Sequence, residues 1–106
     1  FYRYKSADHP HTNMAKAALN MMTRTCAEEL AACGVLMNSV DTGWINDENP
    51  LERAAANQRS RDFQTPIDEV DAAARILDPI FTGVALPSDQ TPEFGRFLKD
   101  YHITEW

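Results

Sequence analysis

The sequence predicts an α/β chain that forms one section of a larger, mostly parallel sheet. Three observations lead there. Residues 13–33 contain neither Gly nor Pro and repeat apolar side chains at steps of three and four, the pattern of a helix with a broad apolar stripe. Gly34 and a strand-length apolar run, "VLMNSVD" at 35–41, follow at once. Helix, tight turn and buried strand thus come in the order of the second half of a βαβ crossover. Only one further strand candidate exists downstream, and two strands do not make a stable parallel sheet, which is normally covered on both faces and joined to several neighbours. The remaining strands are expected outside these 106 residues.

Each element has a local cause. In the first helix Ala15, Leu19, Met22, Cys26, Leu30 and Cys33 form the stripe. Thr12 or Asn13 is the expected cap, and Gly34 the expected terminator, because it accepts a left-handed conformation that a side chain disfavours. Ala15, Ala18, Ala27 and Ala31 are small enough to admit a close neighbour. "TGWINDENP" is loop by composition, and residues 51–64 read equally well as a helix or a flap. In "TPIDEVDAAARILDPIFTG", Thr65 is the expected cap and Pro66 suits the first turn, while Asp68 and Glu69 complement the positive end of the dipole. Ile67, Val70, Ala74 and Leu77 are its expected buried stripe, and Pro79 is expected to limit its length. Residues 84–93 read as loop. "FGRFLKDY" offers a short strand with Phe94, Phe97 and Leu98, followed by a polar tail closing on Trp106.

Composition narrows the function. With 43% hydrophobic and 25% charged residues the chain has the make-up of an ordinary globular protein. A net charge of −6 with scattered basic residues argues against a nucleic-acid partner. No apolar run approaches the roughly 20 residues needed to span a bilayer, and "FYRYKSADHP" lacks the apolar stretch of a secretion signal. A soluble protein of a reducing compartment such as the cytoplasm is expected, with Cys26 and Cys33 as buried, reduced thiols. On one helix they stand about 10 Å apart along the axis, too far for a disulfide. Phe rather than Met at position 1 suggests a segment upstream.

The order of these features resembles the C-terminal part of the short-chain dehydrogenases/reductases. The stretches that carry the likeness are "TNMAK", "MNSVDTG", "TPIDEVD" and "GRFLKD". In the family they read Tyr-x-x-x-Lys, V-N-x-V-x-P-G, a Pro-Glu/Asp-x-Val/Ala helix start, and a last strand with Gly, apolar residues and Asp. Each is weak alone; four in order span nearly the whole chain. The resemblance implies that residues 1–106 are the C-terminal section of one Rossmann-like domain, a doubly wound parallel sheet. It implies NAD or NADP as cofactor, held only together with an N-terminal section. That section would carry the Gly-rich phosphate turn, and no such turn stands in this sequence. Pairing through helix 13–33, as a homo-oligomer or within an assembly, is also implied.

Within that likeness Lys16 matches the family's lysine, which holds the nicotinamide ribose and lowers the pKa of the catalytic tyrosine four residues before it. Here that position is Thr12. A threonine hydroxyl hydrogen-bonds but does not titrate near neutrality, and it is shorter than a phenol. Losing a positioned general acid costs on the order of 10² to 10⁴ in rate. Water, His11, Tyr2 or Tyr4 are alternative proton sources. Thr42 stands where the family has Pro before Gly43, and Asp47 falls near a position where Thr often contacts the carboxamide. Gly43, Trp44 and Asp47 with Lys16 are the expected cofactor contacts, and Asn38 the expected brace of its own turn. A noncatalytic Rossmann-like pseudoenzyme, serving as a nucleotide-sensing or structural subunit, is the alternative reading.

Other clusters point to surface. "HPH" with Asp8 supplies two nearby imidazoles and no fixed third ligand, so no metal site is expected. Asp41, Asp47 and Glu48 lack ligand-like spacing. Arg53, Arg59 and Arg61 fit a charged exposed helix as well as a flap over an anion, and Met14, Met21 and Met22 fit packing.

Overall fold

The structure, a computed structural model, describes residues 10–45 and 67–106. The expectations for Tyr2, Tyr4, Asp8, His9, Asp47, Glu48, the 51–64 stretch with its arginines, Thr65 and Pro66 lie outside these residues. The described chain is mixed α/β, in the order α1 (Pro10–Ala32), β1 (Ser39–Asp41), α2 (Glu69–Ala85), β2 (Phe97–Lys99) and β3 (His102–Thr104). The sheet runs β1-β2-β3, with β1 parallel to β2 and β3 antiparallel to β2.

α1 starts earlier than the sequence suggests, so Thr12 lies within its first turn and does not cap it. Pro10 opens the helix, where its missing N–H costs nothing. The end is as expected and more specific: Gly34 takes φ +81°, its N–H donates to Ala31 O at 2.9 Å, and the Val35 N–H donates to Leu30 O at 2.9 Å. Those two bonds form a Schellman motif. The strand is shorter than the apolar run, because Val35 and Leu36 remain exposed in the link and only residues 39–41 pair.

The face that α1 buries differs from the expected stripe. Thr23 and Ala27 are its buried residues, at 4% and 3% exposure, while Leu19 and Met22 face outward. The reason is proximity. Thr23 meets Ser39 through a 2.9 Å hydrogen bond, and a side chain on Gly95 would come within 3.3 Å of the Ala27 Cβ, so that face has room only for small groups. The cysteines are free, but Cys26 is half-buried and Cys33 exposed, which corrects the expectation of two buried thiols.

α2 is capped by Asp68, whose side chain accepts from the Asp71 N–H at 2.9 Å; the helix begins too late for Thr65 to do this. It runs through Pro79 to Ala85. Proline removes one backbone bond, yet the following turn is seated on the chain ahead of β2, where Gly83 lies close to Pro92. Ala72 is the buried residue of α2, and Val70 and Leu77 are exposed.

Strand alternation separates the two helices. Ser39 and Asp41 share the face toward α1. Val40 instead lines a groove of about 450 Å³ with Ile76, Ile80 and Val84 of α2. The expected polar tail is partly a strand. Asp100 and Tyr101 both adopt positive φ, +47° and +67°, giving the two-residue hairpin that turns β2 into β3. Trp106 then stacks on Phe97 at 5.7 Å, with the Arg24 guanidinium 5.9 Å from its ring centroid.

Among the described residues only Thr23, Ala27, Ala72 and Phe97 are buried, and no large side chain is fully enclosed. The outer edge of β1 has no strand beside it among these residues. Among them, too, no helix is long and apolar enough to cross a membrane.

Candidate functional site

α1 runs antiparallel to β1. Ala27 lies against Gly95 ahead of β2, Thr23 bonds Ser39 at the start of β1, and Lys16 lies where its charge acts on Asp41 at the end of β1. The first turns of α1 therefore stand at the carboxyl ends of the parallel strands, the end where open α/β sheets bind their ligands. Thr12 and Lys16, four apart, share one helix face there, both exposed. Among the described residues Lys16 makes no ion pair.

Asp41 is the best-anchored group at this end. Its Oδ1 accepts the Gly43 N–H at 2.9 Å, and its Oδ2 pairs with Lys99 Nζ at 3.2 Å. The pairing follows from register, since Asp41 and Lys99 are partners across the parallel strands. Burial pushes the Asp41 carboxyl up, but the Gly43 N–H, the Lys99 ammonium and the charge of Lys16 outweigh it and hold the group below its ordinary 3.8.

Gly43 adopts φ +85°, and a Cβ there would stand 2.9 Å from Ile67 Cδ1. The conformation demands glycine more firmly than the contact does, because a terminal methyl moves easily. Trp44 is 69% exposed and Thr42 half-buried. The structure thus brings Thr12, Lys16, Gly43 and Trp44 to one end of the sheet, while Asp47 is outside the described residues.

Asn38 acts differently from its expected role. It braces a distant segment instead of its own turn: Nδ2 donates to Glu93 O at 2.9 Å and Oδ1 accepts the Arg96 N–H at 3.0 Å. Those bonds, with Gly95 N–H to Met37 O at 2.7 Å and Ser39 N–H to Arg96 O at 2.9 Å, lock β1 to the approach of β2. The pairing of Asp41 with Lys99 was not foreseen from sequence. The Asp-x-Gly spacing of an Asx turn signals the bond from the Gly43 N–H to Asp41, but nothing in the sequence marks Lys99 as the partner across the sheet. No group of three or more metal-ligating side chains exists among the described residues.

Part of the chain is similar to an uncharacterized protein of Acanthamoeba polyphaga mimivirus, with 39% identity over 88 residues that take in 76% of this chain. The chain spans 18% of the length of that viral protein. No family model matches the chain, and no solved structure matches it significantly.

Proposed function

We propose that this chain is the C-terminal section of a divergent, doubly wound Rossmann-like domain of short-chain dehydrogenase/reductase type, whose oxidoreductase activity is impaired because Thr12 replaces the catalytic tyrosine. The observation that carries the reading is the placement of Lys16, in a Thr-x-x-x-Lys helix start, at the carboxyl ends of β1 and β2 beside the turn at Gly43.

The residues present suit one half of a nicotinamide nucleotide. Lys16 offers an ammonium without an ion-pair partner among the described residues, fit to donate to ribose hydroxyls. The turn at Gly43 offers an exposed glycine without a side chain, and Trp44 an exposed side chain, for the nicotinamide side. The phosphates need a Gly-rich turn that this sequence does not contain. A bound nicotinamide nucleotide would give up the hydride in its reduced form or take it up in its oxidised form; Thr12 can hydrogen-bond a substrate oxygen but cannot serve as its general acid.

A second reading, a noncatalytic nucleotide-sensing or structural subunit, is favoured by Thr12 itself and by the exposed Met14, Leu19, Met21 and Met22 on α1, a surface suited to a partner. Titration of the complete protein with NADH and NADPH, followed by the same assay on Thr12→Tyr, separates the two. Binding with slow turnover that rises by about 10²-fold or more in the variant supports the impaired enzyme. Binding with no gain supports the sensor, and no binding of either nucleotide leaves the structural subunit.

A further inference from the structure

We infer that Asp41 takes over the stiffening task that a proline performs in the turn before Gly43, and so positions that turn for the nucleotide pocket. The inference rests on the functional reading above for what the turn contacts, though not for the turn itself.

The argument starts from the backbone. A Pro at position 42 would fix φ near −65° and narrow the conformations open to the turn. Thr42 imposes no such limit, and Gly43, at φ +85°, widens the freedom further. A turn of this composition wanders unless something outside the backbone restrains it. The Asp41 carboxylate does so: Oδ1 holds the Gly43 N–H at 2.9 Å, closing an Asx turn over Thr42. An Asx turn alone is a weak restraint if its carboxylate can rotate. Here Oδ2 is tied at 3.2 Å to Lys99, which sits on the adjacent strand in register with Asp41, so one carboxylate spans turn and sheet. Lys16 stands close enough to act on the same carboxylate. The group that fixes the turn therefore also lies within electrostatic reach of the lysine beside it. Asp41 is thus a positioning residue; it reaches the pocket only through Gly43 and Lys16.

The test uses the complete protein with Asp41→Ala, Asp41→Asn and the double variant Asp41→Ala/Thr42→Pro. Asp41 lies in extended backbone, the conformation that a residue preceding proline takes. Two quantities are read: amide hydrogen exchange at Gly43 and the Kd for NADH or NADPH. Asp41→Ala is expected to speed exchange at Gly43 by about tenfold or more, as befits loss of a bond to a charged acceptor, and to weaken the nucleotide by a similar factor. Asp41→Asn, which keeps an acceptor oxygen, is expected to retain most of the protection. The added proline is expected to restore affinity without restoring protection, since it stiffens the turn but supplies no acceptor. Unchanged exchange at Gly43 in Asp41→Ala overturns the inference, as does a double variant that binds no better than Asp41→Ala. If the unaltered protein binds neither nucleotide, the functional reading fails and the pocket role falls with it, while exchange at Gly43 still decides whether Asp41 holds the turn.

Discussion

Ser39 on β1 donates its hydroxyl hydrogen to Thr23 Oγ1 on α1 at 2.9 Å, and Thr23 in turn donates to Leu19 O at 3.2 Å. This short relay joins the helix to the sheet at one of the few buried positions among the described residues. Thr23→Val keeps the volume but leaves the Ser39 hydroxyl without that acceptor. A loss of about 1 kcal/mol in the stability of the complete protein is expected by urea unfolding. Adding Ser39→Ala should recover part of it, and strictly additive losses would mean that the two hydroxyls do not work together.

Asn38 makes two backbone bonds to the segment ahead of β2. Asn38→Asp keeps the acceptor for Arg96 N–H and turns the donor toward Glu93 O into a second acceptor, facing a carbonyl. A destabilisation of about 1 to 3 kcal/mol is expected, larger at neutral pH than at a pH where the new carboxyl is protonated. Equal stability at both would show that the Glu93 contact carries no weight.

Two glycines allow a ranking that needs no absolute scale. Gly34 and Gly95 both have positive φ, but a methyl at Gly34 meets nothing within 4 Å, whereas one at Gly95 comes within 3.3 Å of the buried Ala27 Cβ. Gly34→Ala is expected to cost about 1 kcal/mol for conformation alone, and Gly95→Ala more, because strain and crowding add. The reverse order in thermal unfolding would contradict the packing of α1 on the sheet.

The carboxyl of Asp41 makes stability depend on acid. Its folded value lies below the ordinary 3.8, so as pH falls the unfolded chain takes up this proton first. The stabilising contribution is complete above about 3.8 and disappears as pH drops through the folded value. Asp41→Asn should remove that part of the acid limb. Denaturant unfolding through this range tests it, and an acid limb of the same steepness in both proteins would speak against it.

Lys16 adds to the lowering of the Asp41 value, which gives it a signature independent of any ligand. In Lys16→Met the Asp41 carboxyl should titrate at higher pH, followed by NMR. Under the nucleotide-binding function proposed above, the affinity of the complete protein for NADH or NADPH should also fall by about tenfold. A shifted Asp41 with unchanged affinity would place Lys16 beside the turn but outside the pocket.

Local chemistry made part of this structure legible. Gly34 ended α1 because glycine takes a left-handed Schellman position without steric cost, and the parallel pairing of β1 followed from the helix-turn-strand order. Burial was harder to read. Apolar residues such as Leu19, Val70 and Leu77 face outward, while the polar Thr23 is enclosed, since close approach to Ser39 and Gly95 favours small groups over apolar ones. β3 escaped notice because its hairpin places Asp100 and Tyr101 at positive φ, without the glycine that usually announces such a turn. At the candidate site, Thr12, Lys16 and Gly43 were legible only through the likeness of "TNMAK" and "MNSVDTG" to motifs of a known family. The partnership of Asp41 with Lys99 was not legible, because it depends on which residues face each other across two strands separated by 58 positions of sequence.

The open side of β1 bears on how the molecule is to be handled. Among the described residues the backbone groups on that rim meet no partner strand, and the exposed Ile76, Ile80 and Val84 line the groove over Val40 beside it. Such a rim recruits strands from identical copies, so concentrated solutions invite self-association through this edge.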